Sequence, residues 1–270
     1  MTEVDIAGFG IWSASFADPG EFRAVLAGRE VESEGTLKPE LIPARERRRA
    51  PAMVKMAVEV MDQACKMADL DPAAVASVFG SGMGDMQITD YMCRTLATSP
   101  RAVSPTKFHN SVHNASTGYW SIATGSHCPA NAVSAYANTV AATLLETSVQ
   151  ALEEDTPVLM AIEELAAPQP FKSVIEVDAP FAAALLLVPP GHSVTPLGSL
   201  SLALRPEFVD EPAPPALDDA DFSNNFAATI LPLLIALAEG QRASVSLPLS
   251  RRSTLDVTLE HAAAPATAHA

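Results

Sequence analysis

The stretch from Ser104 to Glu164 limits the fold of this chain most. Ser111 to Thr124 is apolar and rich in small residues, and reads as a buried helix. Ala130 to Ala135 is short enough for one strand, and a tight turn is expected at residue 136. From Asn138 to about Glu153, Val140, Leu144, Leu145, Val149 and Leu152 recur at helical spacing. Pro157 to Glu163 then reads as a buried strand. Strands and helices that alternate in this way predict a layered α/β fold with much of its sheet covered on both faces.

The rest of the chain fits that plan. Val4 to Ser13 is a nearly continuous apolar run with two glycines, and reads as an opening strand. Asp18-Pro19 starts a short helix to about Ala27 that turns Phe22, Val25 and Leu26 to the core. Residues 30–44 read as a loop. The Arg45 to Arg49 cluster reads either as a solvated turn or as a contact for an acidic partner. Pro51 is expected to begin a helix to about Ala68, with Met53, Met56, Ala57, Val60, Met61, Ala64 and Cys65 on one face. Val75 to Gly84 reads as a strand entering a glycine-rich loop, and Met86 to Leu96 as a helix. Phe181 to Val188 is a further buried strand.

Beyond Pro189 prolines become frequent, and Glu207 to Asp221 carries acidic residues without a basic one. The expected division is therefore a main domain over 1–190, a proline-rich acidic linker over 191–223, and a helix with two strands over 224–262. The tail, 263–270, is expected to be disordered. Within the third segment, Asn225 to Glu239 reads as a helix kinked at Pro232. Ala243 to Leu249 and Thr254 to Glu260 read as a hairpin.

Composition narrows the function classes. A formal net charge of -15 argues against nucleic acid and anionic membrane surfaces as partners. The three cysteines, Cys65, Cys93 and Cys128, form no CxxC pair. That fits a reducing cytoplasm rather than a disulfide framework or a zinc site. No signal peptide or transmembrane span is expected from the N-terminal residues or from any apolar run. Gly80-x-Gly82-x-Gly84 lacks the G-x-G-x-x-G spacing of a dinucleotide fingerprint, and Ser81 lacks that of a nucleophile elbow. No cofactor or metal is expected.

Three motifs carry a resemblance to the β-ketoacyl synthases, which have the thiolase fold. Gly80-Ser81-Gly82-Met83-Gly84 resembles their G-S-G-[IM]-G loop. Cys128-Pro129, followed by Ser134-Ala135-Tyr136-Ala137, resembles the G-P turn and the T-A-C-[AS] sequence around their acyl-carrying cysteine. Ala161-Ile162-Glu163 stands where their strand commonly ends in G-G-[TA]-E. The resemblance covers about residues 1–190, half of a complete ketosynthase. The second half's H-G-T-G-T motif is absent, and His192 and His261 lie in other contexts. It is similar to the single-half, N-terminal-like proteins that accompany aryl polyene pathways and look like minimal chain-length factors.

That resemblance implies one half of a thiolase-like fold with a small C-terminal appendage. It also places Tyr136 at the nucleophile position. A phenol, with a pKa of about 10, is a poor acyl carrier at neutral pH, so condensation chemistry is expected to be absent. The implied role is a noncatalytic subunit that pairs with a complete ketosynthase and meets the acyl carrier protein only indirectly. Met83, Met86, Ile88, Tyr91 and Met92 would help bound the partner's acyl tunnel. His113, Asn114, Ala132, Val133, Ser134 and Ala135 would lie at the dimer interface. For Met83 the plainer reading is a core-filling side chain, and for His113 a packing residue. The alternatives are an acyl-thioester hydrolase or acyltransferase using Ser134 or Cys128, and a homodimeric scaffold.

Overall fold

The computed structural model describes residues 2–33, 35–209, 217 and 222–262. In chain order it places β1 (Thr2–Ser13), α1 (Pro19–Leu26), α2 (Ala44–Arg47), α3 (Ala52–Ala68), β2 (Ala76–Gly80) and α4 (Met86–Thr98). These are followed by α5 (Pro105–His109), α6 (Ala115–Thr124), β3 (Ala130–Val133), α7 (Thr139–Glu153), β4 (Val158–Glu164) and β5 (Phe181–Val188). The last elements are β6 (Gly198–Arg205), α8 (Leu231–Glu239), β7 (Ala243–Ser250) and β8 (Ser253–His261).

The strands form one eight-stranded sheet in the order β3-β2-β4-β5-β1-β6-β8-β7. β2 runs parallel to both β3 and β4, and the remaining neighbours are antiparallel. Helices cover both faces at the centre, so β4 and β5 are buried along their whole length. This is why they read as unbroken apolar runs rather than alternating ones. α3 and α6 share an apolar layer with Trp12, Phe79 and Leu186. The second layer gathers α7 and α8 with Phe9, Phe22 and Met160. The two glycines of β1 explain how closely α3 lies against the sheet. A Cβ on Gly10 would sit 1.9 Å from the Val60 carbonyl oxygen, and one on Gly8 would sit 2.3 Å from that of Ala64. Only glycine admits that approach.

Several boundaries differ from the sequence reading. The Arg45 and Arg47 side chains belong to a short helix, α2, rather than to a turn. Pro51 is the residue before α3 and not its first member. The helix expected from Ser111 begins only at Ala115, so His113 lies in the preceding turn and Asn114 at the cap position. The strand expected over 130–135 ends at Val133, and Ser134 and Ala135 belong to the turn.

The stretch read as a linker, 191–223, contains β6, which pairs with both β1 and β8. Its signal is an alternation of buried Leu200 and Leu202 with polar serines, and the surrounding prolines masked it. Through β6 the hairpin of β7 and β8 continues the main sheet. Pro232 does not kink a helix. A 3-10 turn over Phe226–Ile230 precedes α8, and Pro232 lies in the first turn of α8, where no amide partner is lost. The 263–270 tail and most of the acidic run before Asp221 lie outside the described residues. Among the described residues no helix is long and apolar enough to cross a membrane.

Candidate functional site

The site forms where the open edge of the sheet meets the Tyr136 turn. β3 is the edge strand and, among the described strands, pairs with β2 alone. Ala130, Asn131 and Ala132 are exposed, and Val133 is half-buried. Past Ser134 and Ala135 the chain enters a left-handed conformation at Tyr136, with φ of 55°. For a bulky non-glycine residue that geometry costs about 1–3 kcal/mol, and it persists only where neighbours impose it. The neighbour here is Thr139. Its Oγ1 accepts from the Ala135 amide at 3.0 Å and donates to the Tyr136 carbonyl at 2.7 Å. The Tyr136 ring rests against the Phe226 ring. Beside them lies a cavity of ≈ 510 Å³, lined in part by Asn138, Val174, Phe208 and Asn225.

The glycine loop after β2 presses against this turn. A Cβ on Gly82 would come 2.7 Å from the Tyr136 carbonyl oxygen, 3.0 Å from the Phe226 ring and 3.1 Å from Glu164 Oε1. Glycine at 82 therefore follows from close packing on three sides. Ser134 Oγ donates to the Gly82 carbonyl at 3.2 Å. His113 Nε2 donates to the Ser81 carbonyl at 3.0 Å, which places the ring proton on Nε2. From below, Glu164 Oε1 accepts from Ser81 Oγ at 3.1 Å and from the Gly82 amide. Ser81 Oγ in turn accepts from the Gly84 amide at 2.9 Å.

Two adjacent carboxyl groups end β4, and both are buried. Neighbours on a strand point to opposite faces, and helices cover this strand on both. Glu163 meets Ser116 of α6, whose hydroxyl donates to it at 3.2 Å, while Glu164 meets the glycine loop. Burial pushes the Glu163 carboxyl up to about 8; the Ser116 bond opposes this and the neighbouring Glu164 adds to it. Burial also pushes Glu164 up to about 7 against the pull of the Gly82, Ser81 and Met83 donors. Each has one oxygen, Oε2, without a partner among the described residues. A protonated carboxyl is the form that such an oxygen tolerates. The sequence reading missed Glu164, although two acids closing an otherwise apolar strand were its visible signal.

The other residues singled out from the sequence fall in several places. Met83 packs half-buried against Met86, Ala167, Ile175 and Val177, and lines a ≈ 150 Å³ cavity with Met53, Asn110, His113 and Ser116. Met86 and Ile88 turn into the chain's own interior. Tyr91 and Met92 are half-buried; the Tyr91 hydroxyl accepts from the Ser104 amide at 2.9 Å and its ring carries Lys107 at 5.0 Å. His113, Asn114, Ala132 and Ser134 are exposed, and Ala135 is half-buried. The Cys128 thiol points to the Ala73 carbonyl at 3.6 Å, and the Ser134 hydroxyl is held by Gly82. Among the described residues neither bonds to a histidine.

A further exposed surface lies on α6, which packs against β3, and on the residues before it. On α6 and the segment before it, Phe108 (63% exposed), Val112 (53%) and Ile122 (77%) stand free. A groove of ≈ 740 Å³ runs between α2 and α6, lined by Ile42, Arg49, His109 and Tyr119 among others.

Tyr136 thus occupies a strained strand-to-helix turn against a glycine loop, and a family model covers that whole arrangement. The model of the β-ketoacyl synthase N-terminal domain matches residues 25–244. The chain belongs to this family. The match passes residue 190, where the sequence resemblance was expected to stop, and takes in β6 and α8.

Solved structures of β-ketoacyl synthase type agree in fold. One is a chain of the ketosynthase (ApeO) in complex with its chain length factor (ApeC) from Xenorhabdus doucetiae. It is 19% identical, with a TM-score of 0.69 over 96% of this chain and 99% of that one. A chain of the ishigamide ketosynthase/chain length factor is 14% identical, with a TM-score of 0.74 over 97% of this chain and all of that one. A β-ketoacyl synthase from Burkholderia phymatum STM815 is 16% identical, with a TM-score of 0.60 over 79% of this chain and 67% of that one. Among curated proteins none matches by sequence.

Proposed function

We propose that this chain is a noncatalytic, chain-length-factor-like subunit of a cytoplasmic β-ketoacyl synthase. It pairs with a complete ketosynthase and helps bound that partner's acyl tunnel in fatty-acid or polyketide-type synthesis of the aryl polyene kind. The observation that carries the reading is the open β3 edge. An unpaired edge of small residues, next to α6 with its exposed Ile122, is the form of a surface waiting for a second chain. Tyr136 at the turn supports a noncatalytic role, because its ring leans on Phe226 and, among the described residues, no base is bonded to its phenol. The two ketosynthase/chain length factor structures named above share the fold along almost the whole chain, which favours this reading over a hydrolase. In it, Met83 bounds the tunnel through the glycine loop, with Tyr91 and Met92 behind it. His113, Asn114, Ala132, Val133, Ser134 and Ala135 lie at or beside the interface. The acyl carrier protein meets the partner first, since a chain at -15 repels an acidic carrier.

Native mass tests the proposal. The chain is co-expressed with the complete ketosynthase encoded nearest to it, and each is also run alone. A stable one-to-one complex supports the reading. Two species that ignore each other overturn it in favour of a homodimer or a monomer.

A further inference from the structure

Met83 stands half-buried on the glycine loop after β2, and the backbone of that loop is fastened by side-chain hydrogen bonds. The structure assigns this to Glu164, which we propose as the positioning residue that sets the Met83 loop against the Tyr136 turn and thereby sets acyl chain length. The inference rests on the tunnel reading given above.

The geometry is specific. Glu164 ends β4, a central and fully buried strand, so its carboxyl is a fixed point. A single oxygen, Oε1, takes both the Ser81 hydroxyl and the Gly82 amide. Ser81 passes the connection on by accepting from the Gly84 amide. The residues on either side of Met83 are thus tied, directly or through one hydroxyl, to one buried atom. The loop is also tied from above, at the Ser81 carbonyl by His113 and at the Gly82 carbonyl by Ser134. Those two side chains are exposed in the isolated chain, whereas Glu164 is not. Glu164 therefore holds the loop before any partner arrives, and His113 and Ser134 complete the hold where a partner would cover them.

The test uses the complex co-expressed with the nearest-encoded complete ketosynthase. Products are measured by mass spectrometry, and loop opening by amide hydrogen exchange over residues 81–84. Glu164→Gln keeps an acceptor oxygen and is expected to leave both readouts as they are. Glu164→Ala removes it; the expected result is an intact complex with exchange at 82–84 about tenfold faster and a broadened spread of product lengths. Should Glu164→Ala disrupt the complex, Ser81→Ala removes the relay hydroxyl alone and is expected to give the same two changes. Unchanged exchange and product length in an intact Glu164→Ala or Ser81→Ala complex, with Met83→Ala shifting product length, overturns the inference and leaves the tunnel reading standing. If Met83→Ala also leaves product length unchanged, the tunnel reading fails and the inference about chain length falls with it. The exchange data then decide only whether Glu164 fastens the loop.

Discussion

The Tyr136 and Phe226 rings pack with centroids 4.8 Å apart and planes inclined by 54°. This contact joins the turn that in the family resemblance carries the nucleophile to the segment just before α8. Aromatic pairs in tilted contact add about 0.5–1.5 kcal/mol beyond the area they bury. The ring, still half exposed, is thus held on one side by the C-terminal part of the chain.

Restoring a thiol should therefore not restore chemistry. Tyr136→Cys is expected to fold and to show no condensation or decarboxylation of a malonyl thioester, alone or in the complex beyond the partner's own rate. A nucleophile needs a base within hydrogen-bond reach, and among the described residues the hydrogen bonds at this turn go to Thr139 and not to a histidine. Turnover assayed against a catalytically dead partner checks this, and measurable acyl transfer would contradict it.

Ile122 offers a test of the interface that leaves the fold alone. Its side chain is 77% exposed on α6, so Ile122→Asp should change the stability of the free chain by no more than about 0.5 kcal/mol. Placed under a partner, the same carboxylate would be desolvated and unpaired, at a cost of several kcal/mol. Thermal melts and native mass together should show a normal fold and a lost complex.

Gly82 and Gly118 should respond in opposite ways to the same change. An alanine Cβ at 82 would press on the Tyr136 backbone, which cannot swing aside as a side-chain end can. Gly82→Ala is expected to destabilise by about 1–3 kcal/mol. Gly118 has nothing within 4 Å of such a Cβ and lies inside α6. Gly118→Ala is expected to stabilise the free chain by about 0.5–1 kcal/mol through helix propensity. Denaturant melts of both variants give the comparison.

The buried carboxyls make stability depend on pH in a defined direction. Folding raises Glu163 to about 8 and Glu164 to about 7 from an ordinary value of 4.5. Above 4.5 the unfolded chain releases these protons while the folded chain keeps them. The unfolded state then binds fewer protons, and stability falls as pH rises. The loss accumulates from about pH 4.5 to about pH 8 and levels off beyond. Glu163→Gln should flatten this slope, because it removes the carboxyl that keeps its proton to the highest pH. Every tenfold difference in proton affinity between the folded and unfolded chain is about 1.4 kcal/mol. Melts from pH 5.5 to 8.5 would show the change, and identical slopes in the wild type and the variant would argue against a buried neutral carboxyl.

The helices and strands with unbroken or strictly periodic apolar patterns were legible in the sequence. α3, α7, β4 and β5 lie close to where their side chains place them, because burial alone decides them. β6 was not, since it shows only alternate leucines and lies among prolines. The start of α6 was misread because His113 and Asn114 carry no mark that separates a turn from a helix. For the site, the turn at 136 and the glycine loop could be read from their spacing. What joins them could not. Glu164 is neighbour to Ser81 only through the register of β2 with β4, and pairing across that distance in sequence leaves no local trace.

β3 is one end of the sheet and β7 the other. The two ends are unlike. β7 carries Pro248 within its run, with an irregular register between it and Ser250. A proline there lacks the amide that another strand would need. Joined through β3, two such units would leave a proline-bearing β7 at either outer end of the combined sheet.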